Sequence, residues 1–310
     1  MMRFRDYFEL VRLPNAFTAM ADVLAGYWFV SGAATGSWRL AAMLVASACL
    51  YSAGIAINDL RDIAVDRRER PSRPLPSGRV SKANATVLAI VLCVLSLVAA
   101  TGAGSLDCSV MSIFSTENRS GIVALVLLGA ILAYDILLKS TFVGPVLMGA
   151  CRGLNLLLGM TLGLPFQGEG ADFLRRSILI LIAFALYATS ITYFGRDEAG
   201  QVRRRRLVTG LFGIVLSMWM LGSITAVASA FDGFTLILWL ALLVHIIRVG
   251  YRAIKFPSPP QVQYAMKTFI LGFIVFDAIV ASASAGWEAG TIVLVMLVPA
   301  ALSGKWIYST

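Results

Sequence analysis

The chain has 310 residues, 58% of them hydrophobic, and only 14% charged against about 25% in an average soluble domain. Its mean hydropathy is +0.81. That much apolar surface cannot be hidden inside a soluble fold of this length, and the composition equally excludes a disordered chain, a disulfide-stapled secreted domain and a nucleic-acid binder of the basic-patch kind. The sequence therefore predicts an all-α, polytopic transmembrane helical bundle, one membrane-embedded domain over residues 1–310.

In chain order, residues 3–12 (RFRDYFELVR) alternate charge with Phe, Tyr, Leu and Val and predict a short interfacial helix. Pro14 suits the first turn of the helix that follows, where its missing N–H costs nothing. Apolar segments long enough to span then run at about 15–33, 38–58, 83–102, 120–139, 143–164, 174–194, 207–230, 233–253, 265–285 and 288–304. That makes ten spans, or nine if one is a half-span. The net charge of +9, from 26 Lys+Arg against 17 Asp+Glu, reflects topology. With both termini and the loops near 59–82, 139, 195–206 and 248–267 on one side, that side holds 21 of the basic residues and the other holds 4. The bias places the rich side in the cytoplasm of a plasma or inner membrane, with Arg203–Arg206 as an anchor. The four cysteines form no CxxC pair, and His245 is the only histidine, so neither a disulfide framework nor a zinc site is expected.

Ionisable residues in or beside spans are costly, and each is a functional candidate. The densest group is NDLRDIAVD, residues 58–66. Asn58, Asp62 and Asp66 stand four residues apart and line one helix face. Stacked carboxylates repel unless a cation lies between them. Hard oxygen ligands with waters suit Mg²⁺, which takes one or two carboxylates plus phosphate oxygens. The next stretch, RRERPSRPLPSGRVS, is basic and broken by Pro71, Pro74, Pro76 and Gly78 into a shaped loop. Guanidinium groups such as that of Arg73 match phosphate oxygens in bidentate fashion. Acid beside base at a membrane boundary points to Mg²⁺ with a polyphosphate. Tyr51, Tyr134, Tyr187 and Tyr193 are candidates to face a cationic allyl fragment.

The pairing of N-D-x-x-D-x-x-x-D with Arg73-Pro74-Leu75-Pro76-Ser77-Gly78 resembles the first signature of the UbiA superfamily of intramembrane prenyltransferases. The resemblance covers most of the chain. Arg12 to Asn15 (RLPN) is similar to the family's N-terminal segment, AYDILLK aligns Tyr134 and Lys139, and MGACRGLN aligns Arg152 and Asn155. It implies a bundle whose cavity opens to the cytoplasm under a cap of loops, with an isoprenyl diphosphate and a small acceptor as substrates. The implied metal ligands are Asn58, Asp62, Asp66 and Asp197. The implied catalytic carboxylates are Asp62, Asp66 and Asp197. Asn58, Arg73, Lys139, Arg152, Asn155, Tyr134 and Tyr193 are the implied diphosphate-side residues.

The family's second acidic motif is altered here. In ITYFGRDE, Asp197 fits the later aspartate but Tyr193 stands where the earlier one is expected, with Glu198 as a shifted carboxylate. This form is similar to the EboC-type branch. Arg152 either binds diphosphate or pairs with a carboxylate, and Asp22 and Asp277 lie within spans without an assigned role. Two other functions compete: a degenerate family member that only binds prenyl diphosphate, and a transporter of lipid-like substrates. Neither nucleic acid nor a particular oligomer is implied.

Overall fold

The computed structural model describes residues 4–104, 118–163, 170–197, 202–227 and 232–306. Among these, every regular element is helical. The order is α1 (Phe4–Leu10), α2 (Leu13–Ser31), α3 (Trp38–Glu69), α4 (Lys82–Gly104), α5 (Arg119–Ala133), a π-helical turn (Tyr134–Leu138), α6 (Gly144–Met160), α7 (Ala171–Phe194) with a 3₁₀ turn (Gly195–Asp197), α8 (Arg204–Val227), α9 (Gly233–Lys255), α10 (Pro259–Ala285), α11 (Trp287–Val295) and α12 (Leu297–Trp306).

The boundaries follow local chemistry. Pro14 sits in the first turn of α2, and Gly32 closes that helix in the left-handed region at φ 65°. Side-chain caps from Ser37, Asn118 and Asp232 accept the free N–H groups of Leu40, Gly121 and Thr235. Each apolar segment read from the sequence falls on a helix. Among the described residues, seven helical stretches are long and apolar enough to cross a membrane by length and composition. The other segments qualify less simply. Asn15, Thr18 and Asp22 interrupt α2, α6 has 17 residues, and the expected span 288–304 is two half-helices broken at Met296. On α4, Val87, Val91, Val94 and Val98 form one exposed apolar stripe suited to lipid.

Helices adjacent in sequence from α2 to α10 pack side by side; α10 returns against α2, and α6 also crosses α2. That crossing is backbone on backbone. A Cβ at Gly26 would stand 2.1 Å from the Leu156 carbonyl oxygen, and one at Gly159 2.2 Å from that of Val23. Any side chain there would drive the two helices apart. An aromatic core of Phe184, Tyr187, Phe273 and Phe276 locks α7 to α10, with T-shaped ring pairs at 4.7 and 4.8 Å.

Two features position the site. With 32 residues, α3 is about 48 Å long and overshoots a hydrocarbon layer of about 30 Å. Its overshoot carries the acidic motif. The loop that follows folds back as a cap: Leu75 and Val80 pack with Leu10 of α1 and Ala85 of α4. Arg79 fastens it, donating to both Glu9 oxygens at 2.8 and 2.9 Å and to the Ser72 carbonyl at 2.7 Å.

Candidate active site

The far end of α3, the π-turn, the start of α6, the end of α7 and the start of α10 surround the mouth of a cavity of about 1400 Å³. Asn58, Asp62 and Asp66 all line it, so the four-residue spacing does put them on one face. They do not share one partner. Lys139, at the end of the π-turn, donates to the Asn58 side-chain oxygen at 2.6 Å and to Asp62. Asp66 is buried and accepts from Arg73 of the cap at 2.8 Å. The same Arg73 Nη1 reaches Asp59 at 3.5 Å, and Arg12 reaches Asp59 at 3.0 Å.

Arg12 carries strain to do this. It is the non-glycine residue with positive φ among those described, at 47°. Left-handed backbone at such a residue costs about 1 kcal/mol or more and persists where surrounding contacts hold it. Here the contact is the Asp59 carboxylate.

Asn58 and Asp62 turn their oxygens to one positive centre, the Lys139 ammonium, which marks a cation position between two hard ligands. Arg73 holds Asp66 aside, and among the described residues no three His, Cys, Asp or Glu side chains gather at metal-binding spacing. One or two carboxylates with phosphate oxygens and waters are a normal Mg²⁺ complement. The residues present therefore fit a metal brought in with a phosphorylated ligand. Arg61, Arg70, Arg73, Lys139, Arg196 and Lys267 line the same mouth against Asp62, Asp66 and Glu69, an excess of positive charge suited to a polyanion.

Deeper, the cavity meets a second polar cluster. Arg152 donates to Asp22 at 2.8 Å and to the Thr18 hydroxyl at 2.7 Å, and its guanidinium lies 4.3 Å from the Phe273 ring centre. Asn155 donates to Asp22 at 2.9 Å and to the Ala19 carbonyl at 2.8 Å, while its oxygen accepts from Ser47 at 2.8 Å. Of the two alternatives for Arg152, the pair with a carboxylate is the one found. Depth separates this cluster from the mouth. From Asn58 to Tyr51 on α3, seven residues correspond to about 10 Å, and from Lys267 to Phe273 on α10, six residues to about 9 Å, with Tyr51 and Phe273 both beside the Arg152 guanidinium. Arg152 and Asn155 line the same cavity as Asp62, but their hydrogen-bond partners are Asp22, Thr18, Ala19 and Ser47 rather than the residues at the mouth.

The altered motif also reads differently in three dimensions. On α7 the cavity is lined by Ala188, Ile191, Thr192, Gly195 and Arg196, and Tyr193 is not among the lining residues. Helical period puts 188, 192 and 196 together on the lined face, with Tyr193 one position to its side. Arg196 donates to the carbonyls of Ser140 at 2.6 Å and Thr141 at 2.9 Å, so the end of α7 grips the turn that carries Lys139. The Asp197 side chain and Glu198 lie outside the described residues. Tyr134 lines the cavity as expected.

Sequence reasoning missed Arg12 and Asp59 as site residues, and Asp135, a buried carboxyl lining the cavity beside Tyr134. An acid inside an apolar run was a usable signal for Asp135. Nothing local marks Arg12, whose partner is 47 residues away.

These features define a membrane-embedded helical bundle with a basic-rimmed cavity that opens into an apolar interior. The chain matches over residues 19–271, and belongs to, the UbiA prenyltransferase family. It is a multi-pass membrane prenyltransferase of that family. It is 26% identical over 290 residues to the digeranylgeranylglyceryl phosphate synthase of Sulfurisphaera tokodaii, covering 90% of this chain and 98% of that one. Its fold is similar to a solved structure of digeranylgeranylglyceryl phosphate synthase in membranes, with a TM-score of 0.63 at 20% identity over 91% of this chain and 99% of that one. It is also similar to the apo structure of a UbiA homolog from Aeropyrum pernix K1, with a TM-score of 0.62 at 16% identity over 90% and 98%.

Proposed function

We propose that the protein transfers an isoprenyl group from its diphosphate to a small acceptor, in an Mg²⁺-dependent reaction at a mouth that faces the cytoplasm. The observation that carries this reading is the convergence of Asn58 and Asp62 on one cation at the rim of a cavity that continues into apolar wall. Asn58 and Asp62 would hold the metal, with Asp66 and Asp197 as further carboxylates. When bound, Mg²⁺ offsets the charge that grows on the leaving diphosphate. Lys139 and the cap arginines supply charge-assisted donors to its outer oxygens. Lys139 sits where it bonds both acidic-motif residues, so a donor phosphate meets an ammonium already oriented. The allylic C–O bond breaks with its electron pair on the diphosphate, the acceptor nucleophile bonds to the freed carbon, and its proton passes to a carboxylate or water. Cap and helices keep bulk water from the cationic carbon. The Sulfurisphaera tokodaii relative, whose name describes a glyceryl phosphate bearing two geranylgeranyl groups, supports prenyl transfer in a membrane as the reaction class.

The side on which basic residues collect is the side of the mouth, which supports the cytoplasmic orientation. The test is diphosphate release from geranyl diphosphate by purified protein with a phenolic acceptor, with and without Mg²⁺ and in Asp62→Ala. Release that needs both metal and Asp62 supports the proposal. Donor binding without release would favour the degenerate, binding-only alternative.

A further inference from the structure

The cluster around Arg152 bonds none of the residues at the mouth, and it is costly where it stands. Asp22 and Asp277 are fully buried within α2 and α10, and Arg152 is the cation between them and the cavity. An ion pair kept in the membrane interior needs a use. Arg152 lines the cavity and has five N–H groups, of which Asp22 and Thr18 engage one each on Nη1 and Nη2. Tyr51 lines the same level, 6.0 Å from the guanidinium carbon to its ring centre, and its hydroxyl has no hydrogen-bond partner among the described residues. Asn155 is saturated by Asp22, Ala19 and Ser47, so it positions Asp22 and leaves Arg152 and Tyr51 as the available donors.

Charge selects what they can hold. Arg152 is already balanced by Asp22, and Asp277 adds no positive charge. An anion bound here would leave the intramembrane cluster with a net negative charge whatever the state of Asp277. A neutral oxygen acceptor takes the spare donors and adds none. The walls at this level, Tyr51 and Phe273, are flat and aromatic.

We propose that Arg152 and Tyr51 form the floor of an acceptor subsite, about 10 Å below the diphosphate mouth, that takes the neutral carbonyl or hydroxyl end of a flat, membrane-soluble acceptor and rejects a carboxylate or phosphate there. The inference rests on the prenyl-transfer reading and names the acceptor class for it. An acceptor about 10 Å long seated on this floor presents its other end to the allylic carbon near the mouth.

The test uses one molecular skeleton with and without charge and with a single polar end: methyl 3-phenylpropanoate and the free 3-phenylpropanoate, titrated at pH 7.5 into the protein in lipid nanodiscs. Wild type should bind the ester at least about tenfold more tightly than the carboxylate. Tyr51→Phe should weaken the ester about fivefold and leave the weak carboxylate binding unchanged. Asp22→Asn frees the Arg152 charge and should narrow or reverse the preference. Equal binding of ester and acid to wild type, or ester binding indifferent to Tyr51→Phe, overturns the subsite. Should Asp22→Asn not fold, the wild-type ratio and Tyr51→Phe decide alone. Geranyl diphosphate binding to wild type is measured separately. Its absence would defeat the prenyl-transfer reading, whereas its presence with no ester preference defeats only the floor.

Discussion

Lys139 and Asn58 are 81 residues apart and share a hydrogen bond of 2.6 Å, with the same ammonium also on Asp62. The chain thus places its own cation between the two residues best suited to ligate an external one. The π-turn makes this possible, because its extra residue per turn re-aims the segment that ends at Lys139. Arg196 then fixes the following turn by its carbonyls.

Lys139→Met should therefore separate metal binding from donor binding. Asn58 and Asp62 lose their internal counter-ion, so Mg²⁺ alone should bind more tightly. Donor turnover should fall by about 10²-fold, because a charge-assisted donor to the leaving group is lost. Mg²⁺ titration by calorimetry and kcat for geranyl diphosphate measure the two effects. Weaker Mg²⁺ binding in the variant would refute the shared position.

Asp62 and Asp66 should differ in kind. Asp62 is half-buried at the cavity rim, and Asp62→Ala should cost activity with little change in Tm. Asp66 is a buried partner of Arg73, and Asp66→Ala should lower both. Thermal unfolding in detergent beside a kcat/KM measurement distinguishes them.

Arg73→Met leaves two buried carboxylates, Asp59 and Asp66, without their shared guanidinium. Removing one partner of a buried pair costs about 3 kcal/mol or more. The expected result is a lower Tm and faster proteolysis within residues 70–81, with partial recovery in Arg73→Lys. An unchanged Tm would mean that the cap contributes nothing to holding the helix end.

On α7, Tyr193→Phe should stay within about twofold of wild type in kcat/KM, because no lining contact is lost. Arg196→Ala should lower kcat about tenfold through the loosened turn that carries Lys139, with rescue in Arg196→Lys confined to partial return. A dead Tyr193→Phe beside a normal Arg196→Ala would show that Tyr193, and not the grip of Arg196, serves the site.

Orientation is checked by labelling single cysteines, with the native cysteines replaced. Ser81→Cys in the cap should react only from the cytoplasm, and Gly36→Cys in the exposed turn between α2 and α3 only from the outside. Labelling of both from one side would break the topology.

The sequence by itself determined the class of solvent, the helical segments, the side on which the basic residues collect and the acidic face of α3. Each of these follows from composition or from a period along one helix. Asn58, Asp62 and Asp66 share a face because 3.6 residues make a turn, whatever the rest of the chain does. Only the tertiary structure decided the partners. Lys139 to Asp62, Arg73 to Asp66, Arg12 to Asp59 and Arg152 to Asp22 join residues brought together by packing. The crossing of α2 and α6 at Gly26 and Gly159 lets Asp22 reach Arg152, and so makes the deep cluster an ion pair. That α7 turns Thr192 and Arg196 to the cavity has the same origin. Which face of a helix meets a cavity is set by its neighbours, and a motif read along the chain carries no information about rotation around the helix axis.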